Sequence, residues 1–207
     1  MSQLIRNSAP YRWAAQLSSL NSWRKRAYEA PSPHFIKQAC LIRNGFPNST
    51  WVETGTYTGD TTRFLSTHAP MVYSVEPEPT LYAKAVQRFK DVANVRILKG
   101  TSEDVLPALL PLLNGDVNFW LDGHYSAGVT FKGASDTPIV GELKCIGQHL
   151  ARLGRVAVLV DDLRCFNPRK AEYAGYPPAE ILVQWAQTHG MQWHVEHDIF
   201  VATKDGQ

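Results

Sequence analysis

The sequence predicts a doubly wound α/β domain, with a mostly parallel seven-stranded sheet and two additional N-terminal helices. Three observations carry this prediction. Short apolar runs alternate with segments of helical periodicity from residue 50 to residue 189. The middle runs, 117–121 and 156–160, are almost continuously apolar, as strands buried on both faces of a parallel sheet are. The last two runs, near 192–195 and 199–202, lie too close together for a helical crossover and should pair as an antiparallel hairpin.

Taken in order, residues 10–28 fit an amphipathic helix, with Trp13, Leu17, Leu20 and Ala27 at helical spacing and Pro31 and Pro33 as breakers. Residues 34–43 fit a second helix, with Phe35, Ala39 and Ile42 on one side and Asn44-Gly45 as its stop. Residues 1–46 thus form a helical extension, and 47–207 the main domain. The extension could cover a sheet edge, roof a substrate site or make a homodimer contact, and the sequence leaves all three open. The first core strand follows the turn-like Pro47-Asn48-Ser49 and carries Trp51 and Val52. It breaks at Gly55, and a helix restarts over 60–66 with Thr58 or Asp60 as N-cap. A strand over 71–75 ends in Glu76, and a helix covers 79–90. A strand over 95–98 leads into Gly100-Thr101-Ser102. The helix over 103–113 should hold Pro107 in or near its first turn. The strand 117–121 ends in Asp122. Residues 123–137 form a long loop, a candidate lid over the ligand end of the sheet. A helix over 139–153 is closed by Gly154, the strand 156–160 ends in Asp161-Asp162, and a helix over 179–189 precedes the hairpin.

Composition bounds the class. A chain of 207 residues with a formal net charge of +2 suits one globular domain with a sizeable core. Its three cysteines, Cys40, Cys145 and Cys165, are widely spaced and read as small buried hydrophobes. No apolar stretch is long enough to span a bilayer, and we expect a cytoplasmic protein. Residues 1–50 are basic, but only Arg24-Lys25-Arg26 is clustered, which fits a solvated helix face. We therefore expect neither a nucleic-acid nor a membrane partner.

The chemistry gathers at the strand ends. In open α/β sheets ligands bind outside the carboxyl ends of the strands. Here those ends carry Glu53, Glu76, Asp122 and Asp161-Asp162. The stretch Glu53-Thr54-Gly55-Thr56-Tyr57-Thr58-Gly59-Asp60-Thr61 joins a strand, a glycine turn and a helix start. It lacks the Gly-Lys-Ser/Thr of a P-loop and the third glycine of the dinucleotide fingerprint. Glu53 would repel a pyrophosphate and suit a cationic ligand. Glu76 is placed to accept both hydroxyls of a ribose.

Glu53-x-Gly55-x-x-x-Gly59 resembles the first motif of class I S-adenosylmethionine (SAM)-dependent methyltransferases. In pattern the chain is similar to their macrocin O-methyltransferase-like subgroup. The resemblance implies a SAM site formed by Glu53, Thr54, Gly55, Thr56, Gly59, Thr61, Glu76, Thr101, Ser102 and Asp122. Thr101 and Ser102 are equally readable as a helix cap. By the subgroup's pattern, Asp122, Asp161 and Asp162 would bind Mg²⁺, hard oxygen donors suiting that ion. Asp122-Gly123-His124 departs from the subgroup's Asp-Gly-Asp, and Asp161-Asp162 also suits a turn cap. His124, with a pKa near working pH, is the candidate general base beside Asp122. The implied activity is methylation of a small-molecule hydroxyl. A non-catalytic SAM or nucleoside-binding module and an NAD-dependent oxidoreductase are the other readings.

Overall fold

The computed structural model describes residues 9–123 and 137–206. Two helices, α1 (Ala9–Lys25) and α2 (His34–Asn44), precede the sheet. Then come β1 (Thr50–Thr54), α3 (Asp60–Ser66), β2 (Val72–Glu76), α4 (Pro79–Phe89), β3 (Val95–Lys99) and α5 (Ser102–Leu109). They are followed by β4 (Val117–Leu121), α6 (Ile139–His149), β5 (Val156–Val160), α7 (Glu180–Thr188), β6 (Gln192–Glu196) and β7 (Ile199–Lys204). The sheet order is β3-β2-β1-β4-β5-β7-β6. Strands β1 to β5 pair in parallel, and β7 runs antiparallel to both β5 and β6.

Strand alternation builds a core on each face of the sheet. Val156, Val158 and Val160 of β5 face one way, into a cluster completed by α5, α6 and α7 through Leu106, Ile146 and Leu182. Ala157 and Leu159 face the other way, toward Leu41 of α2, Leu65 of α3 and Phe89 of α4. Strand β4 divides likewise, Phe119 facing the first cluster and Trp120 the second. Asn118, polar and fully buried, is satisfied by the α2–β1 connection. It accepts from Phe46 N at 2.9 Å and donates to Phe46 O at 2.9 Å. The β6–β7 hairpin turns on His197 and Asp198, whose φ values of 49° and 70° suit the two-residue turns that match strand twist.

Three expectations need correction. The inward face of α2 is Lys37, Cys40, Leu41 and Asn44, not Phe35, Ala39 and Ile42. Cys40 and Leu41 are buried, whereas Ile42 is exposed. The sheet face reached by α2 offers both apolar and acidic partners, so its inward stripe is mixed and its apolar periodicity misleads. The apolar stripe of α1 is not a packing face either, since Trp13 and Leu17 are exposed. Trp23 is the buried anchor of that helix, packed edge-on against Tyr28 and His197. Pro107 lies inside α5, past its first turn. It is tolerated on an exposed face, and the chain tightens into a 3₁₀ turn over Leu110–Leu112 soon after.

Candidate functional site at the strand carboxyl ends

Close packing of backbone against backbone shapes the turn after β1. Gly55 has φ of 91°, and a Cβ there would stand 2.7 Å from the carbonyl oxygen of Asp122. The residue must be glycine for β1 and β4 to end side by side. Glu53 turns inward beneath this turn. Its carboxyl accepts from Thr62 Oγ1 and, at 2.5 Å, from Ser74 Oγ. Burial pushes its pKa up to about 8, the two hydroxyls opposing the shift. Burial favours its protonated form, and Glu53 is part of a buried polar knot with Thr62, Ser74 and Thr56, whose Oγ1 lies 2.6 Å from Ser74 Oγ. Thr61, in the first turn of α3, is half-buried.

Glu76 is differently held. Its Oε2 accepts from Tyr57 N at 2.8 Å and its Oε1 from Glu78 N at 3.0 Å. Burial raises its pKa, and the two backbone donors oppose that shift. The β1 turn and the β2–α4 corner thus orient one carboxylate at the end of β2. A carboxylate has about four acceptor positions, which leaves capacity for a diol. Thr101 is the N-cap of α5, its Oγ1 accepting from Asp104 N at 3.3 Å. Its neighbour Ser102 is buried beside Glu142.

Glu142 escaped the sequence reading. It is only 1% exposed, and burial pushes its pKa up to about 7 against the opposing Ser102 and Thr54 hydroxyls. Thr54 Oγ1 lies near enough to act on the Glu142 carboxyl, but neither it nor Glu142 Oε1 completes a hydrogen bond of good geometry with any described residue. Both stand close under Gly123, where a Cβ would lie 3.3 Å from Thr54 Oγ1 and 3.6 Å from Glu142 Oε1. Helical spacing held the clue: Ile139, Glu142, Leu143 and Ile146 share one stripe, and an acid in a buried stripe needs an explanation.

The acids at the ends of β4 and β5 form the second half of the site. The charge of Asp122 bears on His34, Lys37, Glu53, Glu142 and Asp161, which places it at the centre of the titratable cluster. Lys37 of α2 reaches across to the β5 end. Its Nζ donates to Asp161 Oδ1 and Oδ2 at 2.7 Å each and to Asp162 Oδ1 at 3.0 Å. Arg164 donates to the same Asp162 Oδ1 at 2.7 Å and pairs with Asp198. Burial works against the charge of Lys37, but Asp161 and Asp162 outweigh it and hold its pKa above the ordinary lysine range. Burial and then the Asp122 charge push Asp161 upward, with Lys37 opposing.

This arrangement does not fit the expected Mg²⁺. The oxygens of Asp161 and Asp162 that would face the ion face an ammonium, and a divalent ion there would meet a fixed positive charge. Among the described residues no group of three or more His, Cys, Asp or Glu side chains is disposed to hold a metal. His124 and the candidate lid at 124–136 lie outside the described residues. His34, one turn before Lys37 on α2, was also missed. Its surroundings lower its pKa through desolvation, with Asp60 and Asp122 on the opposing side. Of the roles left open for the N-terminal helices, α2 has one beside the acids that end β5.

Solved structures share this architecture. The N-methyltransferase NodS from Bradyrhizobium japonicum WM9 matches with a TM-score of 0.54 and 14% identity, over 82% of this chain and 93% of its own. The 23S rRNA methyltransferase ErmE matches with a TM-score of 0.53 and 11% identity, over 86% and 70%. The fold is that of the class I methyltransferases. The precorrin-6y C5,15-methyltransferase from Geobacter metallireducens GS-15 shares it with a TM-score of 0.51 and 12% identity, over 82% and 86%. No protein-family model and no curated protein sequence matches the chain. At these identities the likeness concerns the class I fold alone, and the names of the three neighbours span different acceptors.

Proposed function

We propose that this chain transfers a methyl group from SAM to a hydroxyl oxygen of a small molecule. The observation that supports this best is Glu76, a carboxylate oriented by two backbone N–H groups at the end of β2, beside the glycine turn. It is suited to a ribose, and the strand order narrows which nucleoside. A dinucleotide-binding sheet runs 3-2-1-4-5-6. Here a reversed strand, β7, stands between β5 and β6, and the third fingerprint glycine is missing. Both features count against an NAD-dependent oxidoreductase.

When bound, SAM supplies an electrophilic methyl group and leaves as the neutral thioether. Glu76 holds the ribose and so sets where the methyl group points. Thr54, Gly123 and Glu142 form the floor between the ends of β1 and β4. To Asp122, and to His124 two positions further along the chain, we assign the acceptor proton: one of them would take it as the acceptor oxygen receives the methyl group. Holding acceptor and methyl group in line supplies most of the acceleration.

The test is a thermal-shift titration of the wild type and Glu76→Ala. SAM at about 100 times its Kd should stabilise the wild type by roughly 2.7 kcal/mol, a rise in Tm of roughly 5–10 °C. Glu76→Ala should show no rise at that concentration. An equal rise in the variant contradicts the ribose assignment. A non-catalytic SAM-binding module would bind equally well in Asp122→Asn and consume no SAM with any acceptor.

A further inference from the structure

We propose that Lys37 is a built-in cation that takes the place of a divalent ion at the acceptor end of the site. Three features on separate parts of the chain meet here. Asp122, Asp161 and Asp162 stand at the ends of two adjacent strands and carry oxygen donors of the type a hard divalent cation takes, though they are not disposed around a common ion position. The position between Asp161 and Asp162 is taken by Lys37 Nζ, which contacts three of their oxygens at 2.7–3.0 Å. The ammonium is not a surface group resting there: its side chain is 13% exposed, and that of Asp161 is 4% exposed.

The backbone fixes this placement as well. Helix α2 is anchored through Cys40 and Leu41 in the core of that sheet face. At its far end, Asn44 and Arg43 hold Glu196 of β6. Lys37 lies one turn before Cys40 and Leu41, so packing of the helix delivers the ammonium to the end of β5. Asp161 is held from a second side, its Oδ1 accepting from Asp162 N at 2.7 Å. Asp162 is held by Arg164. Removing one partner of such a buried pair leaves a carboxylate without its counter-charge, a strongly unfavourable state that another cation can relieve.

In this role Lys37 is a positioning residue. It neutralises the acids beside Asp122 and keeps their carboxylates fixed, so the acceptor end of the site needs no metal ion. This holds whether the transferred group is methyl or another, because it concerns the cation alone.

The experiment is Mn²⁺ binding, followed by the loss of the free-ion paramagnetic resonance signal, in the full-length wild type, Lys37→Ala, and Lys37→Ala combined with Asp161→Asn. Lys37→Gln serves as a second variant if Lys37→Ala does not fold. The wild type should bind no Mn²⁺ at this position. The Lys37 variant should bind Mn²⁺ with a Kd at least roughly tenfold below the highest Mn²⁺ concentration at which the wild type binds none, a factor smaller than the Coulomb effect of one unit charge at contact distance in protein. The added Asp161→Asn should abolish that gain. Mn²⁺ binding by the wild type that is lost in Asp161→Asn overturns the proposal, because the ion would then displace Lys37. Failure of the Lys37 variants to gain Mn²⁺ also overturns it, because the acids would then be partners of lysine alone. Neither outcome bears on SAM binding, which Glu76→Ala tests separately.

Discussion

Glu53 and Glu142 are carboxyls whose burial outweighs every partner that would keep them charged. For Glu53 the ordinary value is 4.5 and the folded value about 8. Between these the folded chain holds more protons than the unfolded chain. The stabilising contribution is therefore complete below the lower value and declines as pH rises through the upper one. Glu142, raised to about 7, acts in the same direction. The unfolding free energy should thus contain a component that falls with rising pH between about 5 and 8, with a slope of at most about 1.4 kcal/mol per pH unit for each group, and the wild-type Tm should fall with it. Glu53→Gln should flatten that decline, and thermal melts at half-unit pH steps measure it. A variant with the wild-type slope would mean that Glu53 is ionised where it lies. At this scale the sequence marks groups that lie close together along the chain. Glu53, Gly55 and Gly59 lie within one turn, and Glu76 ends the next strand. Lys37 was not legible, because it meets Asp161 across 124 positions of chain and no local pattern marks such a meeting.

Helix α2 is where sequence and structure part most. Its apolar residues fall on several sides, and the side that packs is set by what the sheet offers: apolar side chains under Cys40 and Leu41, acids opposite Lys37, and Glu196 opposite Asn44. Periodicity cannot see a partner. The central strands were legible for the opposite reason, since a strand buried on both faces must be apolar throughout whatever covers it. The reassigned face has a direct consequence. Leu41→Ala removes a fully buried side chain and should cost about 2–5 kcal/mol in urea unfolding. Ile42→Ala, at an exposed position, should stay within about 0.5 kcal/mol of the wild type. Equal losses would return the helix to the face that its hydrophobic spacing suggested.

Across the whole molecule, the order of elements was legible almost to the residue, because alternation of strand and helix leaves few topologies open. The closing hairpin followed from the short gap between β6 and β7. The pairing of β7 with β5 did not follow, because a hairpin can attach to a sheet edge by either strand. That pairing puts a reversed strand inside the sheet and separates this chain from a dinucleotide-binding domain. The sheet gathers acids at the carboxyl ends of β1, β2, β4 and β5, and α2 brings Lys37 to those of β5. The proposal that this end of the sheet takes SAM is tested most directly by calorimetric titration of the purified chain with S-adenosylhomocysteine and, separately, with NAD. The account predicts one S-adenosylhomocysteine site per chain and no heat of binding from NAD. Binding of NAD without S-adenosylhomocysteine would contradict it, and would make Glu76 the ribose ligand of a different cofactor.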